Sequence, residues 1–243
     1  PATLAQNSGL MILSKRPIKH SACLCFGLSL EAANVNRGAL YAGLEDGTHI
    51  FTCHIAPSVR VAGDNAFARF IEPIVNGTRG RQVMDLASFI TQHAPYGEPV
   101  VVAGDFNFGI SFDSFMANPI PSKHAVDVLR TLAEQCQLTE ATCGIRSGKE
   151  GSSGGVHESA FRFQRPTFGY TGIRCGGPAE HRLSSYCNGI LGLLCDDAVF
   201  YRGFRGVKCK EENLLIPPQH RPHPVITHIS DHWAIRVVLE KLP

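Results

Sequence analysis

Three short polar clusters in this chain stand where apolar runs stop. His54 closes the run HIFTCHI (His49–Ile55). Asp105 and Asn107 lie in Gly104-Asp105-Phe106-Asn107, directly after the apolar Pro99–Ala103. Asp231 and His232 lie in Ser230-Asp231-His232, directly before the alternating run WAIRVVLE (Trp233–Glu240). An imidazole takes up or gives away a proton near neutral pH. A carboxylate can aim a water molecule or hold a hard cation, and an amide can donate to an anionic oxygen. Each cluster also has a plain reading. His54 alone fits a hydrogen-bonded structural histidine, GDFN fits a turn, and SDH fits a cap. Together they amount to three polar groups at strand ends, where a rigid scaffold meets solvent and side chains can converge.

The intervening elements must bring those ends together. Gly9–Ser14 (GLMILS) reads as a short strand ahead of a Lys-Arg-Pro turn. RGALYAGL (Arg37–Leu44), then Glu45-Asp46-Gly47, then HIFTCHI reads as a β-hairpin. Ala56–Gly80 reads as loop, with a short helix around Phe67–Ile71. Val83, Leu86, Phe89 and Ile90 form one face of a helix over Arg81–His93. A second helix spans His124–Gln137, with Ala125, Val128, Leu129, Leu132, Ala133 and Cys136 on its apolar face. Arg146–Gly155 is a flexible low-complexity loop. In the last strand Trp233, Ile235, Val237 and Leu239 share a face.

Composition sets the outer bounds. At 243 residues and 44% hydrophobic, the chain can form one domain with a substantial core. A net charge of +2 does not by itself call for a polyanionic partner. No apolar run is long enough for a transmembrane helix. Lys15–Lys19 followed by Ser21–Leu30 imitates a secretory signal, but it begins too far from the first residue. Nine cysteines with no C-x-x-C pair imply neither a disulfide framework nor a zinc site. Buried thiols and a reducing, intracellular compartment are the expectation.

The ordered set, His-terminated strand, GDFN and SDH, resembles the endonuclease/exonuclease/phosphatase superfamily. GLMILSKRPI is similar to that family's G-x-A-I-L-S-(K/R)-x-P-I segment, and Arg79-Gly80-Arg81-Gln82 to its R-x-x-Q helix. The resemblance runs from about Gly9 to Leu239. It implies a four-layer α/β/β/α sandwich of the α+β class and a metal-dependent phosphodiester hydrolase. In that family's chemistry His232 would be the general base, and Asp105 would orient the attacking water. Asn107 and His54 would donate to the phosphoryl group. Asp231, with Asp105 and Asn107, would help hold a divalent cation, most naturally Mg²⁺.

The family pattern also contains an N-terminal strand-helix-strand ending in a metal-binding glutamate. Only Pro1–Ser8 precedes Gly9, and Glu31 and Glu45 come too late in the order, so that portion is expected to be absent from this chain. A second departure concerns the aspartate of R-(I/L)-D-Y-(I/V)-L, which orients the base histidine. One register puts Ser184 there, another puts Asn188, and Asp196 or Asp197 enters only if the strand is shifted.

The hairpin, the RQVMDLASFI helix and Leu129–Thr142 are similar to the neutral sphingomyelinase branch, which implies a lipid phosphodiester and a peripheral membrane contact. A nuclease is the alternative, with Arg60, Arg69, Arg79 and Arg81 as phosphate contacts. An inactive phosphate-binding relative is the third reading.

Overall fold

In the computed structural model, residues 9–26, 37–56, 66–107, 123–140, 197–212, 219 and 234–243 are described. Strands β1 (Ile18–Cys25), β2 (Gly38–Leu44) and β3 (His49–His54) are followed by helix α1 (Ala66–His93) and strand β4 (Val100–Asp105). Next come helix α2 (Lys123–Cys136) and strands β5 (Thr139–Glu140), β6 (Asp197–Arg202), β7 (Phe204–Glu212) and β8 (Ala234–Lys241). Six strands form a mixed sheet in the order β1-β2-β3-β4-β6-β5, and β7 and β8 form a separate antiparallel pair. Within the large sheet only β3 and β4 are parallel.

The strands are amphipathic in two directions, which explains the layering. Phe51, Cys53, Val100, Val102, Ala198 and Phe200 alternate onto one face. There they meet Val83, Leu86, Phe89 and Ile90 of α1, and Leu129, Leu132, Ala133 and Cys136 of α2. Val101, Ala103, Val199 and Tyr201 point the other way, onto Phe204 of β7 and Val237 and Leu239 of β8. Helices, large sheet and small sheet are thus three of the four expected layers, and the α+β class is as expected. The alternation expected near the C-terminus appears in β8, where Val237 and Leu239 turn inward and Arg236, Val238 and Glu240 outward.

The hairpin forms where expected. Gly47 adopts φ +75° in its turn, a conformation that suits a residue without Cβ. The Asp46 carboxylate accepts from Thr48 N–H at 3.1 Å. Helix α2 matches its expected span to within a residue. It closes with Gln137 in the left-handed region (φ +52°) and Leu138 N–H donating to the Ala133 carbonyl at 2.8 Å.

Two expectations are corrected. Gly9–Ser14 is not a strand. It runs as irregular chain, with Met11 and Leu13 exposed at 69% and 83%, and the first strand starts only after Pro17. An apolar run becomes a strand only where a neighbour completes its ladder, and no described strand lies alongside it. Second, α1 begins at Ala66, not Arg81. Pro73, Gly77 and Gly80 read as loop punctuation, and Pro73 has no N–H for the carbonyl one turn back. The helix tolerates this because its later turns bury a long face against the sheet. The expectation of buried thiols holds for Cys53 and Cys136, whereas Cys23 and Cys25 on β1 are exposed. The loop expected at 146–155 lies outside the described residues.

One pole of the helix–sheet interface is held by Arg202, the last residue of β6. Its guanidinium donates to the carbonyls of Cys136 (2.7 Å), Ala94 (3.1 Å), Pro95 (2.8 Å) and Glu98 (3.0 Å). These carbonyls belong to the C-terminal ends of both helices and the turn into β4, where partial negative charge accumulates. Replacing Arg202 with Met should destabilise the chain by on the order of 3 kcal/mol in urea unfolding, because four carbonyls, two of them in buried bonds, lose their donor together. An unchanged midpoint would remove Arg202 from this role.

Beside it, His49 Nδ1 is 3.0 Å from the Tyr41 hydroxyl and its Nε2 is 2.6 Å from Glu98 Oε2. Burial lowers the His49 pKa more than Glu98 raises it, and Arg202 and His93 add to the lowering. A neutral ring fits both contacts, with Nε2–H donating to Glu98 and Nδ1 accepting from Tyr41. The folded pKa lies below the unfolded one. Its stabilising contribution is therefore complete above about pH 6.5, the unfolded value, and is lost as pH falls through the folded pKa. Thermal unfolding scans between pH 7 and pH 5 should show a steeper loss in the wild type than in His49→Gln; parallel curves would contradict this.

Candidate functional site

At the opposite pole three adjacent strands end in one row. In the parallel β3–β4 ladder His54 is the partner of Asp105, and in the antiparallel β4–β6 ladder Asp105 is the partner of Asp197. By strand alternation all three lie on the face that also carries Val101, Ala103 and Val199. His54 Nε2 is 3.4 Å from Asp105 Oδ2, and both side chains are partly exposed. The close approach of β3 and β4 requires Gly104, since a Cβ there would run into the carbonyl oxygen of Cys53.

Beyond β4 the chain turns tightly. Asn107 adopts φ +49°, which asparagine tolerates better than most residues. Its backbone N–H donates to Asp105 Oδ1 at 2.8 Å, and its side-chain Nδ2 donates to the Ile55 carbonyl at 2.8 Å. GDFN is thus a turn as well as a set of functional groups. One N–H of the Asn107 amide is already committed, and the second is the one left for an incoming oxygen.

The turn is also held from behind. Arg79 and Gln82 of α1 are 1% and 3% exposed. Arg79 Nη2 donates to the Phe106 carbonyl at 2.8 Å, and Gln82 Oε1 accepts from Ala56 N–H at 2.8 Å. Arg37 Nη1 donates to the Ile55 carbonyl at 2.8 Å. Arg79 is therefore not the surface phosphate contact considered for a nuclease; its charge faces inward, onto the backbone. Arg81 is exposed and bonds Thr78 Oγ1.

Cys53 lies between these groups in sequence, on the core face. Burial pushes its thiol well up, and the Asp105 and Asp197 carboxylates push it further, so it stays protonated and does not act as a nucleophile.

The structure brings together His54, Asp105 and Asn107, with Asp197 in the same row. Sequence reasoning admitted Asp197 only with a shifted strand. The signal that finds it is the pairing of DAVFYR (Asp197–Arg202) with VVVAGD (Val100–Asp105), which carries Asp197 to the level of Asp105. Asn188, Asp231 and His232 lie outside the described residues. So do Ser184, Asp196 and Arg60.

For a divalent cation the fit is incomplete. Among the described residues no three His, Cys, Asp or Glu side chains converge as a metal site. Asp105 uses one carboxylate oxygen on the Asn107 N–H and turns the other towards His54.

A mixed sheet backed by helices, faced by a second sheet and carrying an imidazole–carboxylate row at its strand ends, defines a layered α+β protein with a polar site at one rim. The model of the Endonuclease/Exonuclease/phosphatase family matches residues 4–232, and the chain belongs to that family. No curated protein sequence matches it. Among solved structures, an endonuclease/exonuclease/phosphatase from Beutenbergia cavernae shares 13% identity with a TM-score of 0.48, covering 94% of this chain and 46% of its own. An AP endonuclease from Archaeoglobus fulgidus shares 11% with a TM-score of 0.49, covering 93% and 72%. A mannosyl-6-phosphatase from Bacteroides thetaiotaomicron shares 10% with a TM-score of 0.45, covering 93% and 67%. The chain thus spans about half the length of the Beutenbergia protein.

Asn107→Asp replaces the donor to Ile55 with an acceptor and adds a charge beside Asp105. It should lower stability by about 1–3 kcal/mol in chemical denaturation. Asn107→Gly, which keeps the left-handed turn, should cost less. An unchanged midpoint in both variants would show that the amide bond contributes nothing.

Proposed function

We propose that this site hydrolyses a phosphodiester, with sphingomyelin-like lipid phosphodiesters as the first substrate class to test. The observation that carries the reading is the in-register row His54–Asp105–Asp197, which sets an imidazole beside a carboxylate with a second carboxylate next in the row. Water attacks phosphorus as His232 removes its proton, the P–O bond to the leaving group breaks, and the departing oxygen takes a proton from solvent water to leave as the alcohol. Asp105 aims the water. His54 and the second N–H of Asn107 donate to phosphoryl oxygens as their charge grows. Asp197 supplies the carboxylate that fixes the His232 tautomer and stabilises the imidazolium formed during the step. Family membership supports this chemistry, and the hairpin and helix motifs favour the lipid class.

The inward-facing Arg79 takes one cation away from the nuclease alternative. Among the described residues no helix is long and apolar enough to cross a membrane, so access to a lipid head group would be peripheral.

The full chain should be assayed with Mg²⁺ in the buffer on sphingomyelin vesicles, a bis-aryl phosphodiester and DNA. Cleavage of sphingomyelin and the dye, with DNA intact, supports the reading. DNA cleavage alone overturns the lipid assignment, and no cleavage of any substrate overturns hydrolysis. His232→Ala should abolish turnover without unfolding. Asp197→Asn should lower kcat by roughly 10²- to 10⁴-fold with KM little changed. Wild-type turnover in Asp197→Asn would return the orienting role to another residue.

A further inference from the structure

Arginine is seldom fully buried, and α1 buries Arg79 against the sheet, with Gln82 one turn on. Both reach past the apolar interface to the backbone that immediately follows a site residue. Gln82 takes the Ala56 N–H, two residues after His54, and Arg79 serves the Phe106 carbonyl between Asp105 and Asn107. The two strand ends are cross-linked as well. Ile55 N–H donates to the Asp105 carbonyl at 2.9 Å, and the Ile55 carbonyl accepts from Asn107 and Arg37. Side chains three apart on a helix lie about 5–6 Å from one another. Neighbouring strands lie about 4.8 Å apart. One turn of α1 is therefore the right size to hold the ends of two adjacent strands.

Resting on the phosphodiesterase reading above, we propose that Arg79 and Gln82 are positioning residues that set the spacing between His54 and Asn107 for the two phosphoryl oxygens they serve. Gln82 supplies a second reason. The Ala56 N–H fixes which way its amide points, and the other end, Nε2, is buried with no hydrogen-bond acceptor among the described residues. A buried amide satisfied at one end only carries a desolvation cost at the other. Its use here is the precision it gives to the chain after His54.

The test separates placement from folding. Gln82→Met fills the same volume without the acceptor, and Gln82→Glu keeps an oxygen towards Ala56. In Gln82→Met, which leaves the buried Ala56 N–H without its acceptor, the unfolding midpoint should fall modestly with the chain still folded, while kcat falls about 10- to 100-fold and KM changes little. Gln82→Glu should recover most of the loss. Arg79→Lys, which keeps the charge but loses the reach of Nη2, reports the other anchor and should show the same kcat signature. NMR provides a readout that needs no turnover. The His54 ring and Asn107 carboxamide signals should shift in Gln82→Met and Arg79→Lys and return in Gln82→Glu, while core methyl signals hold. Undisturbed His54 and Asn107 signals in both losing variants would overturn the proposal, whether or not the chain hydrolyses anything. Shifted signals in a chain without turnover would support positioning and count against the phosphodiesterase reading alone.

Discussion

The parallel pairing of β3 with β4 is the constraint on which the site depends. Six rungs run from His49–Val100 to His54–Asp105, and the last rung is the chemical one. Parallel neighbours need a long crossover between them, and α1 lies in that connection. The same helix then covers the core face of both strands through Val83, Leu86, Phe89 and Ile90. Slipping the pair by one residue would turn His54 to the core face and bring Gly104 or Phe106 to its level. Hydrophobic registration and site geometry are therefore one constraint.

The helix–sheet interface carries a buried arginine near each end of β3 and β4, and each answers backbone carbonyls. Arg202 gathers carbonyls at the ends of α1 and α2 and at the start of β4. Arg79 serves the carbonyl just beyond the end of β4. The first closes two helices that would otherwise leave acceptors exposed to a dry interior, so its contribution is stability. The second acts where the chain must leave the sheet and still place side chains accurately.

Much of this was legible in the sequence because it was local. The alternation in RGALYAGL and HIFTCHI, the turn residues between them, and the helical spacing of Val83, Leu86 and Ile90 are short-range signals. His54, Asp105 and Asn107 could be read as one site because each sits where an apolar run stops. What escaped was non-local. Nothing within Gly9–Ser14 says that the run lacks a described neighbour, and nothing near Pro73 says that the helix through it has a buried face further on. Asp197 was missed for the same reason. The runs after Asn188 and after Asp197 are both short and apolar, and only pairing with β4 shows that it is Asp197 that reaches the level of Asp105. The family pattern flagged Arg79 and Gln82, but their hydrogen bonds join α1 to chain ends some 25 residues away in either direction and have no signature in local spacing.

Asp197 also changes how the row should be weighed energetically. Two carboxylates directly opposite one another on antiparallel strands repel, and such pairs weaken a sheet. His54 lies on the far side of Asp105, and the Asn107 N–H shares the charge of Asp105. A sheet selected only for stability would place a neutral or β-branched residue at position 197, as it places valine at 199. Keeping carboxylates side by side, at a rim where β3 and β4 are anchored from behind, concentrates negative charge next to an imidazole. The proposed proton transfer from water needs such groups within reach of one another.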